Sequence, residues 1–240
     1  MARIGEEEAI RERSGWLIPL AVFAATAILS GAVLVYYLAP TPAALIGNRP
    51  SPTSRTDQIE LSVGAVNFSI PSNYIRYRAT RRGGRQSQVA LFAMLPDFRG
   101  YNDADAQLFS SNAADSPIVY ILLHDEGLKL SEQDRFQRIY LGYLSDPRGR
   151  RGPFGLTQYA FRDDSGYRGE DIFVGRFGTR MIVMRCVRTS DSVPSPSCLR
   201  EARLARHAGV SYRFKRTQLS RWREIASGVD TLVHSFMRGK

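Results

Sequence analysis

The chain has 240 residues, with 33 Lys and Arg against 23 Asp and Glu, a formal charge of +10, and two cysteines. That length excludes a disulfide-stapled mini-protein and leaves room for one domain of ordinary size beside a tail and an anchor. A 43% hydrophobic content, spread along the body of the chain, excludes general disorder.

Residues 1–15 read as a short cytoplasmic tail of mixed charge, with Arg3, Arg11 and Arg13 among four glutamates. The run 16–38, from Trp16 to Leu38, holds no charged residue. As a helix rising ~1.5 Å per residue it reaches ~34 Å, enough for a hydrocarbon core of ~30 Å. A cleaved signal peptide has a shorter apolar region and a small-residue cleavage site, so we read a retained transmembrane anchor. Inside it, Ala27 and Gly31 form a small-xxx-small pair, the spacing used in helix pairing. The arginine balance across the span places the N-terminus in the cytoplasm.

Residues 39–56 carry prolines at 40, 42, 50 and 52 and read as an extended stem. The domain at 57–240 follows. Alternation over 59–63 and 66–70, around Gly64-Ala65, predicts a hairpin. The basic segment Arg81-Arg82-Gly83-Gly84-Arg85 reads as a loop able to meet phosphate or an acidic partner. Residues 88–95 and 118–123 are expected to be buried strands; between them the loop at 97–103 offers Phe98 and Tyr101 as partner contacts. Ser131 is the expected N-cap of a helix whose apolar face is Phe136, Ile139, Tyr140, Tyr143 and Leu144. A strand meander is expected over 156–161, 171–174, 180–187, 199–205 and 210–214. A final helix is marked by Leu219, Trp222, Ile225, Ala226, Val229, Leu232, Val233 and Phe236 at helical spacing. The fold class is therefore α+β: one transmembrane helix, then an antiparallel sheet of about six to eight strands with two packed helices.

Cys186 and Cys198, twelve positions apart, read as a disulfide across a hairpin, against two buried thiols or half a metal site. A disulfide implies an oxidising compartment. No nucleotide loop, nucleophile elbow or HExxH is found, so no catalytic residue, cofactor or metal ligand is assigned. His124, beside Asp125 and Glu126, is the basis of an alternative reading as an envelope hydrolase.

The anchor and Pro-rich stem, Ile70-Pro71-Ser72-Asn73-Tyr74-Ile75-Arg76, Ser165-Gly166-Tyr167-Arg168-Gly169-Glu170, Cys198-Leu199-Arg200-Glu201 and Tyr212-Arg213-Phe214 together resemble uncharacterised single-pass membrane-anchored bacterial proteins with a periplasmic α+β domain. The resemblance implies an inner-membrane location with the C-terminal domain in the periplasm, and carries over no activity. The expected function is a non-catalytic accessory or binding protein that presents a basic domain at the outer face of the membrane. The expected partners are the bilayer through the anchor and a protein or anionic lipid at the domain, with nucleic acid excluded. A supernumerary single-helix subunit of a membrane complex is the further alternative.

Overall fold

The computed structural model describes residues 15–38, 49–125, 130–205 and 207–238. Residues 1–14 of the expected tail and residues 39–48 of the expected stem thus lie outside the described residues. The chain forms two units, 1–46 and 47–240.

The first unit holds helix α1 (Leu17–Leu38), 22 residues without an acidic first turn or a basic last turn. Its stretch Leu17–Tyr36 has a mean hydropathy of 2.3 and is long and apolar enough to cross a membrane. Side chains such as Phe23 and Leu29 stand exposed along it, an apolar surface that water does not tolerate uncovered. Ala27 and Gly31 lie one turn apart, and a Cβ at Gly31 would meet nothing within 4 Å.

The second unit opens with β1 (Gln58–Val63), β2 (Val66–Pro71) and β3 (Gly84–Gln86). β1 and β2 form the expected hairpin, with Leu61 facing Phe68 and Val63 facing Val66. Gly64 takes the positive φ that the turn demands. β3 then pairs in parallel with β1, giving a separate three-stranded sheet. The large sheet is built from β4 (Gln88–Met94), β5 (Ile118–His124), β6 (Arg150–Arg151), β7 (Thr157–Ala160), β8 (Glu170–Phe177), β9 (Arg180–Val187), β10 (Ser197–Ala205) and β11 (Ala208–Lys215). It is antiparallel in the order β4-β5-β11-β10-β9-β8-β7-β6. The helices of this unit are α2 (Ala106–Ser110), α3 (Glu132–Arg138) and α4 (Trp222–Phe236).

Alternation decides which face is core. Val89, Leu91, Ile121, Tyr212 and Phe214 point from the large sheet toward Phe68 and Ile70 of the small one and toward Trp222, Ile225, Val229 and Val233 of α4. The apolar stripe of α4 is buried as its spacing predicts. On the opposite face, α3 covers a cluster of Phe136, Tyr140, Leu144, Phe161, Ile172 and Val183. Phe92, Tyr101, Phe109 and Ile118 form a second cluster beside α2. Ser131 caps α3 by accepting from the Asp134 amide at 3.0 Å. The α-helix stops at Arg138 and gives way to a 3₁₀ turn over 140–143, which leaves Tyr143 42% exposed.

Cys186 and Cys198 face each other across β9 and β10 and are joined in a disulfide. The two strands pair only through Met184 and Arg200, then separate. Into this gap α3 inserts Glu132. Its Oε1 accepts the amide of Val183 at 3.0 Å, a donor that β10 no longer satisfies. Arg200 is 1% exposed and closes the junction. It donates to Glu132 through Nε at 3.0 Å and Nη2 at 2.7 Å, and to the Tyr212 hydroxyl through Nη1 at 3.0 Å. Asp230 of α4 lies 3.6 Å from Arg200 Nη1 and accepts Arg180 at 2.8 Å. Burial pushes the Tyr212 phenol up to about 12, against the opposing pull of the Arg200 charge. One buried guanidinium therefore ties α3, α4 and β11 together. Removing one partner of a buried pair costs about 3–5 kcal/mol, because the other charge is left desolvated. Glu132→Ala is expected to lose stability on that scale in urea unfolding, whereas Asp134→Ala, at the solvated helix start, should shift the midpoint far less.

Candidate functional site

Asp171 stands on β8, opposite Ala160 of β7 and Cys186 of β9, on the same face as Phe173. It is 4% exposed, so its carboxylate must find donors inside the protein. Arg188 supplies Nε at 2.8 Å to Oδ1. Arg216 supplies Nη2 at 3.0 Å and Gln158 supplies Nε2 at 3.0 Å, both to Oδ2. Arg216 is held a second time by donating to the Val187 carbonyl at 2.8 Å, with its guanidinium 5.3 Å from the centre of the Phe173 ring. The acid thus orients two arginines at the end of the sheet where β9 and β11 finish.

Arg188 spends only Nε on Asp171. Its two Nη groups make no hydrogen bond among the described residues, and its side chain is 37% exposed. They border a groove of about 640 Å³, whose wall also includes Arg150, Tyr159, Thr189 and Ser145. That volume lies within the ~300–1,000 Å³ of ligand sites. Gly149 brings the 146–149 turn onto Tyr159: with φ of +67°, a Cβ there would fall 2.6 Å from the ring. Three arginines line the groove against two aspartates, and Asp146 is already matched by Arg148 at 3.2 Å. The arrangement can hold an anion through fixed guanidinium donors in bidentate geometry.

The residues singled out from sequence fare differently. Arg82 and Arg85 are exposed, whereas Arg81 turns back, donating to the Ile75 carbonyl at 2.9 Å and the Ser51 carbonyl at 2.7 Å. Ser51 also pairs with Arg76, so part of the expected stem lies along the domain. Burial is the main cause of a lowered pKa at Arg81, followed by the neighbouring charge of Arg78. Phe98 and Tyr101 require a correction, since both are only 8% exposed. A Cβ at Gly228 would fall 2.0 Å from the Phe98 ring, so that glycine is what admits the ring against α4. Tyr101 packs edge-on to Phe109 at 5.3 Å. Neither ring is free to meet a partner. His124 lies over Gly209, where a Cβ would come within 2.3 Å of the imidazole. No group of three His, Cys, Asp or Glu side chains able to hold a metal ion is found among the described residues.

Lys215 is a third buried charged residue, after Arg200 and Asp171. Its ammonium donates to Asn112 Oδ1 at 2.6 Å, Ser195 Oγ at 2.7 Å and the Ser195 carbonyl at 3.1 Å. All three N–H groups are spent on fastening two loops to the end of β11, while burial draws its pKa down.

Sequence reading misses Arg150, Asp171, Arg188 and Arg216 as a site because only folding unites them. One signal was present: Asp171 shares the inward face of an apolar strand with Phe173, a place where an acid needs partners.

No protein-family model matches the chain, and no curated protein sequence does. Among solved structures it is similar to Smlt3025, an immunity protein of the Stenotrophomonas maltophilia type IV secretion system. The TM-score is 0.53 at 14% identity, over 77% of this chain and 94% of that one. It is also similar to the iron-regulated outer membrane lipoprotein FrpD of Neisseria meningitidis, with a TM-score of 0.48 at 14% identity, over 80% and 99% of the two chains. At such identities the likeness to Smlt3025 is one of fold.

The geometry makes Asp171 the support of the groove and Arg188 its probe. Asp171→Ala should cost about 3 kcal/mol, since it strands two guanidiniums. Arg188→Gln should cost about 1 kcal/mol or less. Chemical denaturation of the two variants checks the contrast.

Proposed function

We propose that this chain is a membrane-anchored, non-catalytic binding protein of the bacterial cell envelope. On this reading α1 is retained in the inner membrane, the domain faces the periplasm, and the groove takes an acidic protein partner. The observation that carries it is the state of Arg188: one edge of the guanidinium is fixed on a buried carboxylate, and the other is presented to a groove large enough for a segment of polypeptide. Orientation settled beforehand lowers the entropy that binding must overcome.

Three further features support it. The +10 charge favours encounter with acidic surfaces, with a screening length of about 8 Å at physiological salt. The disulfide suits an oxidising compartment. The shared fold with a chain described as a secretion-system immunity protein suits an accessory role.

The test is extraction of the full chain in mild detergent followed by native mass measurement. The parent should carry a stoichiometric protein partner, and Arg150→Glu combined with Arg188→Glu should release it. A parent that runs as a lone monomer contradicts the proposal. Retention by the groove variant with loss on Gly31→Ile would instead make the membrane helix the interface, as in a single-helix subunit of a membrane complex.

A further inference from the structure

Beside the groove, the connection from β6 to β7 shows a side chain at odds with its environment. Phe154 lies in the left-handed region, with φ of 56°, a conformation that costs a residue bearing a Cβ. It does so without burying its ring, which is 51% exposed. The turn beneath it is firmly bolted. The indole Nε1 of Trp222 donates to the Phe154 carbonyl at 3.2 Å. Leu156, 2% exposed, enters the core next to Trp222. Gly175 leaves the space for both, as a Cβ there would lie 2.6 Å from the indole and 2.8 Å from Leu156. The core therefore fixes this turn in a shape that projects an apolar ring into solvent.

The surroundings of that ring are basic. Arg150 and Arg151 lead into the turn and are exposed. Arg223 stacks on Trp222 at 4.4 Å, and its Nη2 would be 3.4 Å from a Cβ at Gly155. None of these three makes an ion pair among the described residues. An exposed aromatic on a turn flanked by exposed arginines has the composition of an interface anchor.

We infer that Phe154 is the anchor with which this domain grips its protein partner, and that the partner offers an apolar pocket bordered by carboxylates. The inference rests on the binding reading above and adds a second contact to it. Arg150 belongs both to the groove wall and to the strand entering the turn, so the two contacts adjoin along β6. A protein fits this face better than a bilayer, because a flat lipid surface presses on Phe154 without entering the groove.

The experiment replaces Phe154 with p-benzoylphenylalanine in the full chain, in the membrane of growing cells, and irradiates. A parallel strain carries the same photoprobe at Thr189 in the groove. A single protein adduct is expected from position 154, with the linked partner peptide next to Asp or Glu. Its yield should fall about tenfold or more when Arg150→Glu and Arg151→Glu are added. An adduct to lipid overturns the inference, as does an adduct insensitive to those two changes. A partner captured from Thr189 but not from position 154 overturns the anchor and leaves the groove reading standing; capture from neither position overturns both. Phe154→Gly supplies the structural control. Because glycine accepts positive φ, the variant should melt at or above the parent temperature while partner recovery falls about tenfold or more. A lower melting temperature would make the ring structural and overturn the inference.

Discussion

The burial of Arg200 is the constraint on which the domain depends. A guanidinium that is 1% exposed is tolerable only if acids and hydroxyls come to it. Those that come, Glu132, Tyr212 and Asp230, belong to three different elements. The separation of β9 from β10 belongs to the same arrangement: a continuous ladder would leave no room for Glu132, and without Glu132 the Val183 amide would lack its acceptor. The disulfide sits just before the strands part. Covalent and ionic ties thus share one junction, and α3 and α4 are held to the sheet by way of it.

The same economy appears at the groove. Asp171 is to Arg188 and Arg216 what the largely covered Glu132 is to Arg200, an acid that gives arginines a direction. The difference lies in what is left over. Arg200 spends its donors inside the protein, whereas Arg188 keeps two groups facing outward. Trp222 then links the groove to its neighbouring turn, since it begins α4 a few residues after Arg216 and holds the carbonyl of Phe154. Groove and core are therefore braced by the same short stretch, 216–222.

Periodicity was enough to read much of the fold. Alternation located the β1–β2 hairpin, apolar runs and turn signals located the strands of the large sheet other than β6, and the 3.6-residue stripe from Trp222 to Phe236 located α4. Ser131 marked the start of α3, and a twelve-residue spacing found the disulfide. What periodicity does not carry is long-range pairing. The parallel contact of β3 with β1, and with it a second sheet, has no local signature. The site was less legible still. Phe98 and Tyr101 looked like binding residues because they lie in a loop, but a glycine 130 positions later, Gly228, receives the Phe98 ring. Conversely, Arg150, Arg188 and Arg216 are spread along the chain and acquire meaning only around Asp171.

The groove can meet an envelope partner only if the domain is exported, so the compartment is the most direct test of the account. Acid-trapping growing cells, denaturing, and treating with a maleimide polymer before and after reductant reads the state of Cys186 and Cys198 in place. An exported, disulfide-bonded domain gives no modification before reduction and two additions after it. Two additions without reductant would place the domain in a reducing compartment and contradict export.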